Sequence, residues 1–173
     1  MTVGHGWRTG VRPAWGLLGR QRMKIWKLMS KNVYTCRGVD SLARAAQLMW
    51  NHDIGALPVV DEHGRVIGML TDRDALMASY TRGEPLHAIP VANTMASHPF
   101  TCSANDELAS VEAEMSRRQI RRVPVVDDNG HPVGIVSVGD LARAAKQRND
   151  VTPSEVASTL AAVCAPRQPS VSG

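Results

Sequence analysis

The sequence predicts an α+β protein made of two β-α-β-β-α repeats, packed sheet to sheet about a pseudo-twofold axis. Three observations carry that expectation. Shifting the chain by 66 residues aligns 29–78 with 95–144 without a gap, and sixteen of the fifty positions are identical; self-similarity at a fixed offset marks a duplicated architecture. Each copy also alternates helix-period and strand-period segments in the same order. Finally, a unit of roughly 60 residues is too small to bury both faces of its own sheet, so the copies must cover one another.

The elements follow in chain order. Residues 1–22 carry Gly, Arg, Trp7 and Trp15 without periodicity and read as a disordered basic arm or an upstream extension, since Met23 stands where the resemblance given below begins. A short helix at 23–29 leads into repeat 1. Brief strands are expected at 33–36 and 100–102. Asp40 and Asp106 are placed to cap helices, the first running to about His52 with Ala43, Ala46, Met49 and Trp50 at helical spacing, the second carrying Leu108, Val111 and Met115. The β-branched runs 57–60 and 66–70 flank Asp61-Glu62-His63-Gly64, and 123–126 and 133–136 flank Asp127-Asp128-Asn129-Gly130; acidic residues ending in Gly between such runs signal hairpins. Second helices begin near Asp72 and Val138. Gly83, Pro85 and Pro90 mark a linker. Thr152-Pro153-Ser154-Glu155 is a capping box with Pro in the first turn, opening a helix through Val156, Leu160 and Val163. The expected organisation is an arm at 1–22, repeat 1 at 23–80, linker 81–90, repeat 2 at 91–146, a C-terminal helix at 152–165 and a tail at 166–173.

Composition narrows the function classes. The 173 residues are 43% apolar, enough for a core, but only 4% aromatic, and no apolar run approaches the ~18 residues of a membrane span. The net charge of +4 is unevenly placed: all eight Lys and Arg before Asp40 meet no acid, and the rest of the chain is net acidic. An acidic body argues against a general nucleic-acid surface. Cys36, Cys102 and Cys164 form no C-x-x-C pair, which argues against a disulfide framework or zinc knuckle and fits a reducing cytoplasm. Enzyme motifs are missing: there is no G-x-S-x-G, Walker loop or H-E-x-x-H, and the six histidines show no metal-ligand spacing. Asp127-Asp128-Asn129-Gly130 lacks the alternation and distal Glu of a calcium loop. Neither a metal nor a catalytic cofactor is expected.

Two motifs recur in register. Ile54-Gly55-Ala56-Leu57-Pro58-Val59-Val60-Asp61 leads to Gly68-Met69-Leu70-Thr71-Asp72-Arg73-Asp74, and Ile120-Arg121-Arg122-Val123-Pro124-Val125-Val126-Asp127 leads to Gly134-Ile135-Val136-Ser137-Val138-Gly139-Asp140. From about Lys24 to Ala145 the chain resembles the cystathionine-β-synthase-type (CBS) domain pair, or Bateman module, as found in stand-alone bacterial CBS domain-containing proteins. The resemblance implies a regulatory module that binds AMP, ADP, ATP or a related adenosyl ligand between the repeats. It assigns Asp74 and Asp140 to the ribose diol and Thr71, Arg73, Arg121, Arg122 and Ser137 to phosphate. It places Val33, Thr35, Ile54, Phe100, Thr101 and Ile120 around adenine, the short strands offering backbone groups to its edge.

The chemistry of these residues fits those roles. A carboxylate accepts two hydrogen bonds from a diol, a hydroxyl at a helix N-terminus suits phosphate, and arginine binds phosphate bidentately. The same residues have plainer uses: Asp74 and Asp140 in a helix first turn, Ile54 and Ile120 in a core, Arg117 and Arg118 as a solvated helix end. Gly55 and Ala56 stand where repeat 2 has Arg121 and Arg122, so unequal clefts are expected, with Arg73 partly compensating. The expected protein is a homodimeric nucleotide sensor acting in trans on an unknown regulated protein. The alternative is a constitutive scaffold whose clefts have no functional ligand.

Overall fold

A computed structural model describes residues 23–147 and 151–166; the expected arm at 1–22 and most of the tail lie outside these residues. The elements in order are β1 (Cys36–Arg37), α1 (Leu42–Asn51), β2 (Ala56–Val60), β3 (Val66–Thr71), α2 (Asp72–Arg82), β4 (Ala96–Ser97), β5 (Cys102–Ser103), α3 (Leu108–Arg118), β6 (Arg122–Val126), β7 (Pro132–Ser137), α4 (Val138–Gln147) and α5 (Pro153–Cys164). Strands β1-β2-β3-β4 form one sheet and β5-β6-β7 the other. The two halves match strand for strand: β1 runs parallel to β2 from the Cys36–Val59 pair, and β5 runs parallel to β6 from the Cys102–Val125 pair.

The arm leading into each repeat belongs to the other repeat. Ser30 bridges Ile135 in β7, and Ala96–Ser97 pairs with β3. Backbone bonds repeat the exchange: Leu108 N–H donates to Met23 O and Leu42 N–H to Ile89 O, while Ile25 N–H donates to Asp106 O and Val91 N–H to Asp40 O. Ile25 and Val91 are fully buried, each in the core of the opposite half. Gly68 and Gly134 permit this packing. A Cβ at Gly68 would stand 2.5 Å from Met95 Sδ, and one at Gly134 would stand 2.6 Å from Met29 Sδ. The identity of Met29 with Met95 and of Gly68 with Gly134 thus has one steric cause.

Several expected boundaries move. Asp40 and Asp106 do not cap helices; each carboxylate accepts from a preceding turn, at Arg37 N and Ser103 N, both at 2.8 Å. Helix α1 is capped by Ser41, whose Oγ accepts from Arg44 N. The strands expected at 33–36 and 100–102 shorten to β1 and β5. Their parallel ladders begin opposite Val59 and Val125, the residues after Pro58 and Pro124. The helix expected at 23–29 is a single 3-10 turn, Ile25–Lys27. The segment 81–90 is exposed over most of its length and docks only at its end, where Ile89 is fully buried and Pro90 bridges Ser41. Trp50 leaves the core and is 87% exposed. On α5 the buried face is Val156, Thr159 and Val163, whereas Leu160 turns outward.

The hairpin turns close as expected. Asp61 Oδ1 accepts from His63 N and Arg65 N, and Asp127 Oδ1 accepts from Asn129 N and His131 N. Gly64 and Gly130 take φ of +79° and +86°, the left-handed conformation that glycine adopts without strain. The turns meet across the molecule, where Val66 N–H donates to Gly130 O and His131 Nε2 lies 3.0 Å from His63 O.

Candidate functional site

Pro58 and the N-terminus of α4 open onto a cavity of about 970 Å³ between the repeats. Each wall has a local cause. On one side the chain after the Ser30 bridge runs as coil through residues 31–35 before β1 begins, bringing Val33 and Tyr34 to the cavity. The end of α1 and the turn beyond it bring His52, Asp53 and Ile54, and the Tyr34 and His52 rings stack at 3.6 Å. Facing them, the start of β6 contributes Arg121 and Arg122, and the β7–α4 junction contributes Ser137, Val138, Gly139 and Asp140.

Asp140 is buried at 6% exposure and organises that junction. Its Oδ2 accepts from Ser137 N at 2.7 Å and Ser137 Oγ at 2.5 Å, while Asp140 N donates to Ser137 Oγ. This reciprocal arrangement satisfies first-turn donors that would otherwise lack partners. Its Oδ1 accepts from Arg143 Nη2 and, at 3.5 Å, from Ser30 Oγ. The plainer role of this aspartate as a helix cap is therefore real, and its other oxygen faces Arg143 and Ser30. Asp74 repeats the cap: its Oδ2 accepts from Thr71 N at 2.9 Å and Thr71 Oγ1 at 2.7 Å.

Four cations line the cavity (Lys31, Arg121, Arg122 and Arg143) against the acids Asp53 and Asp140. Arg143 is committed to Asp140, and Arg121 Nη2 donates to Cys164 Sγ at 3.4 Å. Half-buried Arg122 makes no ion pair among the described residues. A Cβ at Gly55 would stand 3.3 Å from Arg122 Nη2 and 3.0 Å from Asp72 Oδ2, so Gly55 leaves the guanidinium its space. Gly55 and Ala56 line the same cavity as Arg121 and Arg122, because the related strand starts converge.

Of the candidate residues, Val33, Ile54, Arg121, Arg122, Ser137 and Asp140 come together here. Thr35, Thr71, Arg73, Asp74, Phe100, Thr101 and Ile120 do not line this cavity. Arg117 and Arg118 pair with Glu114 at 2.6 and 2.7 Å, as a helix-end basic face should. The sequence reading missed Tyr34, His52, Arg143, Leu160 and Cys164. Arg143 had a visible signal, since it lies one helical turn after Asp140; the others reach the cavity through long-range packing.

Two α-helical N-termini occupy equivalent places but differ electrostatically. Asp72 Oδ1 accepts from Arg73 N at 2.7 Å, so the first turn of α2 already holds a carboxylate. The matching residue in α4 is Val138, which leaves its first turn without that charge.

Similarity to known proteins agrees with this geometry. The CBS domain family profile matches residues 25–80 and 88–147. CBS domain-containing protein YhcV of Bacillus subtilis (strain 168) is 40% identical over 114 residues, spanning 66% of this chain and 79% of its own. The solved CBS domain pair of protein MJ0100, in complex with 5′-methylthioadenosine and S-adenosyl-L-methionine, has a TM-score of 0.64 at 30% identity, covering 70% of this chain and 98% of that one. CBSX2 in complex with AMP has a TM-score of 0.63 at 25% identity, covering 72% and 96%.

Proposed function

Because the chain belongs to the CBS domain family, we propose that its cavity is a regulatory site for an adenine nucleotide or related adenosyl ligand. The protein then works as a cytoplasmic, non-enzymatic sensor that acts in trans on a partner protein. The observation that carries this reading is the convergence of Asp140, Ser137, Arg121 and Arg122 with the apolar Val33 and Ile54 around one cavity.

Adenine packs between Val33 and Ile54, with the Tyr34–His52 stack beside it and Thr35 further along the coil. The ribose diol takes Asp140 Oδ1, displacing or sharing Arg143. Phosphate meets Ser137 Oγ and the first N–H groups of α4, where the helix dipole favours an anion, with Arg121 and Arg122 as its cations. Thr71, Arg73, Asp74, Phe100, Thr101 and Ile120 form the pseudo-equivalent site. There Asp72 competes with phosphate for the helix N-terminus, so that site favours ligands without phosphate.

Isothermal titration with AMP, beside a thermal-shift series with ADP, ATP and S-adenosylmethionine, tests the reading. The expected result is one AMP per chain and a raised melting temperature, because a ligand selective for the folded state stabilises it. An unchanged melting temperature with every nucleotide favours the constitutive scaffold instead, with the carboxylate of Asp140 serving only as a cap. The apolar face formed by Trp50, Leu76, Met77 and Tyr80 supports a homodimer. The counterpart positions in the other half are Ser116, Ala142, Arg143 and Lys146, which present no comparable apolar face.

A further inference from the structure

Helix α5 lies beyond the last residue matched by the family profile, 147, yet it forms part of the cavity wall. Its two faces do different things. Val156, Thr159 and Val163 are buried against the second half, where α5 packs on α3 and α4. Leu160 and Cys164 point the other way and line the cavity. The last turn is held by two side chains from the segment between α3 and β6. Gln119 Nε2 donates to Ala162 O at 3.4 Å and Ala165 O at 2.9 Å, and Arg121 Nη2 donates to Cys164 Sγ at 3.4 Å. Arg121 therefore belongs both to the cavity and to the tether that holds the helix end.

We propose that α5 is a ligand-released strap: a phosphate-bearing occupant of the cavity draws Arg121 away from Cys164 and loosens the last turn of α5. The inference rests on the nucleotide reading above and adds its regulation. The energetics favour the exchange. A cysteine sulfur is a weak acceptor, whereas a guanidinium–phosphate hydrogen bond is charge-assisted and roughly twice as strong as a neutral one. A phosphate in the cavity draws the Arg121 fork toward itself and so competes with Cys164 for its Nη2 group. Val156, Thr159 and Val163 keep the buried face of the helix docked, so release is confined to the Cys164 side of its last turn. Coupling of this kind is reciprocal: whatever removes the sulfur acceptor tightens ligand binding, and whatever removes the guanidinium frees the helix end without ligand.

Hydrogen exchange of the full chain, with AMP and with adenosine at saturation, tests the proposal alongside titration of AMP into wild type and Cys164→Ala. Saturating AMP should speed exchange across residues 160–165 by about five-fold or more, at the low end of typical coupling, while adenosine, lacking phosphate, leaves it unchanged. Cys164→Ala should bind AMP several-fold more tightly. Arg121→Ala without ligand should show the faster exchange already. If AMP binds wild type but residues 160–165 exchange no faster, or Cys164→Ala binds it with unaltered affinity, the strap is wrong and the nucleotide site stands. If neither AMP nor adenosine binds wild type, the nucleotide reading fails and the strap falls with it.

Discussion

Asp140 shows how one residue serves structure and ligand together. Its Oδ2 is spent on Ser137, and its Oδ1 faces Arg143 and Ser30. Replacing it with Asn keeps a side chain able to accept from Ser137 N but removes the charge that holds Arg143 and a diol. Asp140→Asn should therefore weaken AMP binding by about ten-fold or more, the scale of losing a hydrogen bond to a charged group, while urea unfolding shows a much smaller loss of stability. Calorimetry and denaturation on the same preparation check both halves; equal losses in the two would reduce Asp140 to a cap. The cysteines divide by burial. Burial, helped by Asp40 and Asp106, raises the Cys36 thiol to about 11 and the Cys102 thiol to about 12, so both stay protonated at neutral pH. Their reading as small buried side chains was available from the sequence, since they fall at matching places in an apolar setting. The contact of Cys164 with Arg121 was not, because 43 residues separate them.

The turns carry their own pH signature. Hydrogen bonds from the Arg65 backbone hold Asp61 below the usual carboxylate range, those from the His131 backbone do the same for Asp127, and Arg117 with Arg118 lowers Glu114 to about 2. A carboxylate with a depressed folded-state pKa contributes stability above its unfolded value of about 4 and loses it as pH falls toward the folded value. The urea midpoint should therefore be flat near neutrality and drop below about pH 4, and the double variant Asp61→Asn/Asp127→Asn should show a shallower drop. The hairpins were legible because acid-to-Gly turns between β-branched runs encode local geometry. The exchange of arms was not. It rests on contacts such as Met29 with Gly134, whose meaning appears only when two distant segments meet. The first strand of each half begins late, at Cys36 and Cys102, because its ladder depends on where β2 and β6 come to lie.

At the scale of the molecule, α5 breaks the pseudo-symmetry. It packs on α3 and α4, while α1 and α2 expose Trp50 at 87%, Leu76 at 68% and Tyr80 at 79%, where the other half has Ser116, Ala142 and Lys146. Apolar groups so exposed on adjoining helices mark an association surface. Trp50→Glu should convert a sedimenting dimer to monomer with its melting temperature nearly unchanged, since the side chain contributes little to the monomer's core. A monomeric wild type at high concentration would contradict the assignment. The duplication and the layered architecture were readable from the 66-residue offset; the docking of α5 on α3 and α4 was not, because it depends on where a helix outside the repeat comes to rest.

The crossed arms have one more consequence. A chain nicked in the exposed stretch around Glu84 yields an N-terminal piece that keeps Met23 and Ile25 but lacks Ile89 and Val91, and a C-terminal piece with the opposite deficit. Neither fragment carries a complete interior, yet each holds the insert the other lacks, so mixing them should reconstitute the whole where either alone fails.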